Sequence, residues 1–257
     1  MESSPKDPVR LTTLASPADC RPPSGARAPV CPGSRVPGQG APGNCDRFFA
    51  LLSEFYAALP EPPVIEATFV PTESIPQPQR DLLVHFSDMT STLTRHYGER
   101  MTLKVLHRHE GPQWYRRHIV LETESSRQPV EYGAMRILLP LLSEAARLDV
   151  LAARAPLGTI LACHGLGYCH CPGGFFKIRS NRLIEQSLRL SAPQWLYGRC
   201  NCMSDSVGRV VAEVVEILPP FNPEPGQSGY PLAGRGSATA QFNPEPTATA
   251  QSRMMKR

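Results

Sequence analysis

The stretch LYGRCNCMSDSVGRVVAEVVEILPP, residues 196–220, decides the fold of this chain. Ser, Asp and Gly separate two segments rich in β-branched and apolar residues, which predicts two strands joined by a tight turn. Alternate residues of a strand point to opposite faces. Glu216 then lies among apolar side chains, whereas Glu213 shares the other face with Arg209. A carboxyl group in apolar surroundings tends to keep its proton or to bind a cation, which makes Glu216 a candidate for proton transfer. A strand end at which Glu216 reaches water is the alternative.

The composition limits the part of the chain that can fold. Among 257 residues there are 28 prolines and 19 glycines, and they are unevenly distributed. Residues 1–44 are dominated by Pro, Gly, Ser, Ala and Arg, and residues 221–257 contain the duplicated pentapeptide FNPEP. Such segments bury too little apolar surface to order themselves, so both are predicted to be disordered extensions. Residues 46–220 are expected to form a single domain.

Periodicity along this domain predicts both helices and strands. Apolar spacing in DRFFALLSEFYAAL predicts an amphipathic helix, and further helices are predicted near residues 89–97, 141–154, 157–165 and 181–190. Extended segments are predicted at 101–109, 114–122, 129–140 and 173–179, before the hairpin that closes the domain. The order predicts an α+β fold, with a roughly six-stranded antiparallel sheet that helices cover on one face.

Charge and cysteine content exclude several classes of function. A net charge of +4 does not indicate nucleic-acid binding. No apolar run approaches the roughly 18 residues that span a bilayer, and the first ten residues lack a signal-peptide core, so we expect a cytoplasmic protein without a membrane partner. The cysteines are then expected to be reduced. The CHC and CNC segments space their thiols poorly for zinc, and no metal site is predicted.

One arginine is expected to point into the core. In WYRRHIVLE, Arg117 shares a face with Tyr115, Ile119 and Leu121. A guanidinium among apolar side chains requires a carboxylate, which it can bind through two parallel hydrogen bonds. That carboxylate belongs either to a ligand or to the protein itself, for example to Glu131.

A helix start provides a second candidate contact for an anion. Asp88 or Ser87 can cap a helix that begins near Met89, where the first backbone amides lack helical acceptors. Most helix starts bind only water or their own cap. The signatures of nucleotide-binding loops, metalloproteases and acyl hydrolases are absent from residues 46–220, so we expect chemistry without a cofactor.

Six short motifs in order make the domain resemble the chorismate pyruvate-lyase family, also called 4-hydroxybenzoate synthases. The motifs extend over about residues 82–220 and are SDMT, RRHIVL, PVEYG, PLG, LYGR and EILPP. The resemblance implies a six-stranded antiparallel sheet with helices on it and a ligand site buried beneath flaps. It also implies a lyase that converts chorismate to 4-hydroxybenzoate and pyruvate, which feeds quinone biosynthesis, such as that of ubiquinone, or secondary metabolism. Chorismate is the expected partner, and we expect a monomer.

The resemblance also assigns roles to residues. It places substrate binding on Arg117 and Glu216 and on the backbone at Met89 and Leu157, and catalysis on Glu216 and Arg117. Family members often have an arginine-rich L-W-G-R-R-S-R segment where this chain has LYGRCNCM and keeps only Arg199. The following hairpin also differs in length, so Glu213 stays an alternative to Glu216.

A non-catalytic binding domain is the second hypothesis. Effector domains of some transcription regulators share this fold, and an Arg and a Glu on a sheet could bind a small aromatic or carboxylic acid without transforming it. Those regulators have a helix-turn-helix ahead of the sensor domain. Here the preceding segment is rich in Pro and Gly.

Overall fold

Residues 46–221 are described by a computed structural model of the chain. Of the two segments predicted to be disordered, residues 1–44 and 222–257 lie outside the described part, whereas Phe221, the first residue of the second segment, is described. The described part contains no helix that is both long enough and apolar enough to cross a bilayer.

The described strands form one antiparallel sheet. Its seven strands are β1 (Ala67–Phe69), β2 (Met101–Glu110), β3 (Trp114–Thr123), β4 (Pro129–Leu138), β5 (Tyr168–Arg179), β6 (Trp195–Asp205) and β7 (Val210–Leu218). They are arranged in the order β1-β5-β6-β7-β4-β3-β2, and every neighbouring pair is antiparallel. The predicted α+β class with an antiparallel sheet is therefore confirmed. The additional strand, β1, is a three-residue edge strand inside the proline-rich connector, too short to leave a periodic pattern.

Of the described helices, one precedes the sheet in the chain, and five lie between its strands. They are α1 (Asp46–Tyr56), α2 (Gln79–Leu83), α3 (Met89–Tyr97), α4 (Glu144–Ala152), α5 (Leu157–Cys163) and α6 (Arg182–Leu188), with short 3-10 turns at Thr72–Ser74 and Leu139–Leu141. Asp88 caps α3, since its side chain accepts a hydrogen bond from the Ser91 amide at 2.7 Å. Gly98 ends this helix in the left-handed conformation, as its sequence suggests.

The sheet is covered on both faces, which corrects the expectation of a single covered face. Helices α2, α3, α4 and α5 contribute to one apolar core, together with residues of β3, β4 and β7. Helices α1 and α6 contribute to a second core on the opposite face. The reason is visible in β7, which is buried at nearly every position because both its faces are apolar. We call the face covered by α2, α3, α4 and α5 the cavity face, and the face covered by α1 and α6 the α1 face.

Gly198, in the LYGR motif, allows β6 and β7 to pack against a neighbouring aromatic ring. A side-chain carbon at this position would overlap the Glu216 carbonyl oxygen and would lie within 3 Å of the Phe176 ring. Only glycine fits such a close approach. The motif thereby fixes the register in which Arg199 pairs with Glu216.

Candidate functional site

A small cavity lies between the cavity face and the starts of α3 and α5. Its volume is about 40 Å³, and its lining includes all four residues that the sequence predicts: Met89, Arg117, Leu157 and Glu216. This volume is room for a few water molecules and is well below the roughly 300–1,000 Å³ of typical ligand pockets. A ring-sized ligand therefore requires the helices above the sheet to move outward.

Arg117 is fully buried, and no described residue neutralises its charge. Its Nε donates to the sulfur of Met135 at 3.2 Å, while its two terminal nitrogens have no hydrogen-bond partner within residues 46–221. No acidic side chain within residues 46–221 forms an ion pair with it. Burial lowers the pKa of Arg117 to about 10. A buried, unpaired guanidinium is costly, and an anionic ligand would supply the missing charge.

The neighbouring arginine shows the opposite situation. Arg116 lies on the α1 face, half-buried, with its Nε 3.0 Å from the Glu54 carboxylate. Strand alternation therefore separates the two arginines as expected, with Arg117 turned to the cavity and Arg116 turned to α1.

Glu216 lines the cavity but already has a cation. Its carboxylate forms a short ion pair with the Nε of Arg199, which is fully buried on the adjacent strand. Arg199 also donates to the backbone carbonyls of Leu83, His85 and Ser87, at 3.2 to 3.3 Å. The pair thus ties the connection between α2 and α3 to the sheet. This connection leads directly into the helix start that covers the cavity.

Glu213, the predicted alternative to Glu216, lies on the α1 face. Its carboxylate accepts from Arg136 at 2.9 Å and lies 3.3 Å from the Nε of Arg47. It does not line the cavity. Strand parity explains the difference, because positions 213 and 216 are an odd number of residues apart.

Glu131 lines the cavity as well, and the sequence did not mark it as a site residue. It is almost fully buried, and its Oε2 has no hydrogen-bond partner in the described part of the chain. Burial, and then the nearby Glu216 carboxylate, raise the pKa of Glu131 well above its usual range. Glu131 lies opposite Leu121 and so shares the face of Arg117, a placement that depends on strand register and that alternation along β4 alone does not give. The sequence suggested it as an internal partner of Arg117, but the two do not bond.

A buried histidine adds a polar group to the lining. The Nδ1 of His170 lies 2.8 Å from the side-chain amide of Asn201, and its Nε2 bonds to none of the described residues. Burial, with a contribution from the nearby Arg199 charge, lowers the pKa of His170 to about 3, so the ring is neutral at pH 7. Its Nε2 is available to a ligand.

The cysteine-rich segments form strand β5 and strand β6 rather than a metal-binding turn. In the described part of the chain, no three His, Cys, Asp or Glu side chains are close enough together to hold a metal ion. Cys163 and Cys169 each take part in a disulfide bond, in contrast to the reduced thiols that the sequence suggested. Cys202 lies on the α1 face, where its sulfur accepts from Arg47 at 3.2 Å.

Comparisons with known proteins give only distant likenesses. No family model and no curated protein matches the chain. Similar solved structures include a gene product of Staphylococcus aureus, with 12% identity and a TM-score of 0.37, over 47% of this chain and 83% of that one. A GntR-family transcriptional regulator from Bacillus cereus has 13% identity and a TM-score of 0.35, over 48% of this chain and 94% of that one. A GntR-family regulator from Enterococcus faecalis has 10% identity and a TM-score of 0.33, over 47% and 97%. Likenesses of this size do not place the chain in a family.

Proposed function

We propose that the domain is a cofactor-independent lyase that converts chorismate to 4-hydroxybenzoate and pyruvate. The observation that supports this most directly is the buried, unpaired guanidinium of Arg117 in a cavity that also contains the carboxyl groups of Glu131 and Glu216. Such a site matches a ring acid that carries a carboxylate at one end and needs one proton moved.

The reaction needs little from the protein except positioning and one proton transfer. The bond between the ring and the enolpyruvyl ether oxygen breaks, and the adjacent ring carbon, which bears the hydroxyl group, loses its proton. The methylene carbon of the departing enol gains a proton and becomes the methyl group of pyruvate. The ring becomes aromatic, which drives the reaction, and atoms and charge balance without an oxidant or reductant.

Each cavity residue has a role in this proposal. Arg117 binds the ring carboxylate through charge-assisted hydrogen bonds, helped by the backbone amide at Met89 at the start of α3. Glu216, held by Arg199, transfers the proton between ring and enol, and acid–base groups in such positions typically contribute about a hundredfold to ten-thousandfold. The backbone at Leu157, where α5 begins, contacts the ligand from above the sheet. With the helices above the sheet closed over the ligand, the largely apolar lining excludes water around the product.

The alternative, a non-catalytic binding domain for a small aromatic or carboxylic acid, also has a supporting observation. The Glu216 carboxylate is already engaged by Arg199, an arrangement that serves structure as well as catalysis. In that case Arg117 would still bind the acid, but no bond would break.

One experiment separates the two functions. Purified full-length protein is mixed with chorismate, and the loss of the diene absorbance is followed together with chromatographic quantification of 4-hydroxybenzoate and pyruvate. We expect the two products in equal amounts, and no products with Arg117→Ala. Binding of 4-hydroxybenzoate with an unchanged diene band would support the binding domain and contradict the lyase. Neither binding nor turnover would contradict both.

A further inference from the structure

The carboxyl groups of Glu131 and Glu216 are brought together by a glycine. Gly133 lies directly opposite Glu216 on the neighbouring strand. Glu131 is two residues before it and leans across it, since its Oε1 lies 3.2 Å from the point that a side-chain carbon at Gly133 would occupy. The missing side chain of Gly133 therefore leaves room for two carboxyl groups to approach one another on the cavity face.

Of the two buried arginines near Glu131 and Glu216, one is already hydrogen-bonded to other groups and the other is distant. Arg199 is hydrogen-bonded to Glu216 and to three backbone carbonyls. Glu131 lies opposite Leu121, and Arg117 is four residues from Leu121 along β3. The Cα atoms of Arg117 and Leu121 are therefore about 13 Å apart. The Arg117 guanidinium is bonded to the sulfur of Met135, the residue directly opposite Arg117 on β4. Two carboxylates in one buried site that share a single cation repel each other and lose hydration, so one of the two is expected to keep its proton.

We infer that Glu131 is a further ligand-contacting residue, which offers its carboxyl group in the un-ionised form as a hydrogen-bond donor facing Arg117 along the cavity. The inference rests on the proposed function and adds to it the class of ligand. Arg117 takes a carboxylate at one end, and Glu131 donates to an uncharged oxygen at the other end, so a ring acid with a hydroxyl group para to its carboxylate fits best. Burial and the Glu216 charge raise the pKa of Glu131, which is consistent with this form.

The other groups around Glu131 agree with this state. Six titratable side chains of the neighbouring elements line or border the cavity: Asp88, Arg117, Tyr168, His170, Arg199 and Glu216. With His170 and Tyr168 neutral, a proton on Glu131 reduces the negative charge that a bound anion would meet.

Infrared spectroscopy tests the un-ionised carboxyl group directly. We expect full-length protein at pH 7 to show the carbonyl stretch of a buried carboxylic acid, and this band to shift when 4-hydroxybenzoate is added. Glu131→Gln should remove the band. The matched control is Glu213→Gln, which alters a paired carboxylate on the α1 face and should leave the band in place. A band that survives in Glu131→Gln, or no band in the wild type, would overturn the inference.

Binding measurements test the contact with the ligand. We expect the wild type to bind 4-hydroxybenzoate about fivefold to tenfold more tightly than benzoate, as one hydrogen bond to a neutral group would give. Glu131→Gln, whose amide can still donate, should keep this preference, and Glu131→Leu should lose it while still binding benzoate. Preserved preference in Glu131→Leu would refute the contact. These outcomes do not depend on turnover, so the lyase proposal can fail while this inference stands, and the reverse.

Discussion

The two faces of the sheet differ in whether their buried charged side chains have partners. On the α1 face, Glu213 is paired with Arg136 and Arg47, and Arg116 is paired with Glu54. On the cavity face, Arg117 has no acidic partner among the described residues, and Glu131 leaves one carboxyl oxygen without a hydrogen bond. Both faces have the same strands and similar burial. The difference teaches that burial alone does not mark a site, whereas buried charge left unsatisfied does.

The α1 face also shows how polar groups can be buried for structure. His118 stacks on the Phe55 ring with centroids 4.3 Å apart, and its Nε2 lies 3.3 Å from the Tyr132 hydroxyl, which in turn contacts Tyr56. This chain of contacts connects α1 to the sheet. On the cavity face the corresponding network runs through Arg199 to the connection before α3, so it positions the cover of the cavity rather than closing a core.

The largest expected effect concerns the two glutamates of β7. Glu216→Gln should lower chorismate turnover by about a hundredfold to ten-thousandfold, because the amide can accept from Arg199 but cannot transfer a proton. Turnover is measured by product formation under saturating chorismate, and circular dichroism checks the fold. Glu213→Gln is the matched control and should retain turnover while losing stability. Equal rates in wild type and Glu216→Gln would remove Glu216 from the mechanism.

The next largest effect is a difference in ligand binding between variants of the two adjacent arginines of β3. Arg117→Ala should weaken binding of 4-hydroxybenzoate about a hundredfold, since a charge-assisted, desolvated pair is lost. Arg116→Ala, on the α1 face, should change binding little. Isothermal titration calorimetry of both variants measures the difference. The reverse pattern would mean that the strand presents the other arginine to the ligand.

Arg117 should lower the free energy of unfolding of the ligand-free protein. Arg117→Met removes an unpaired buried charge and keeps a side chain of similar length, so we expect the free energy of unfolding to rise by about 0.5–2 kcal/mol. Urea denaturation at pH 7 gives the value. A loss of stability instead would show that Arg117 has a partner inside the folded protein and is structural.

A final effect, of comparable size, is expected on the acid sensitivity of folding. Burial lowers the pKa values of His118 and His170 to about 3, whereas in the unfolded chain a histidine binds a proton below about pH 6.5. Between these values the unfolded state binds more protons, so stability falls as the pH decreases from about 6.5 towards 3. His118→Gln should reduce this slope by up to about 1.4 kcal/mol per pH unit. Urea denaturation at pH 7 and pH 5 measures the slope, and an unchanged slope would contradict the assignment.

Strand parity was sufficient to orient several site residues from the sequence. It separated Arg117 from Arg116 on β3 and Glu216 from Glu213 on β7, because side chains alternate with a period of two regardless of what packs on the sheet. That Arg117 and Glu216 share a face depends on the register of β3, β4 and β7. The cap of α3 at Asp88 and the antiparallel α+β class also follow from local patterns. The edge strand β1 did not, because three residues carry no period.

Pairing between distant residues was decided only by the tertiary structure. The sequence does not show that Arg199 forms an ion pair with Glu216, or that Gly133 leaves room for Glu131 beside that pair. Nor does it show that Arg117 has no acidic partner among the described residues. All three depend on strand order and on register across the sheet. The second covered face also depends on how α1 and α6 return to the sheet. Alternation is a property of each strand and can be read locally, whereas the neutralisation of a buried charge depends on which strands become neighbours.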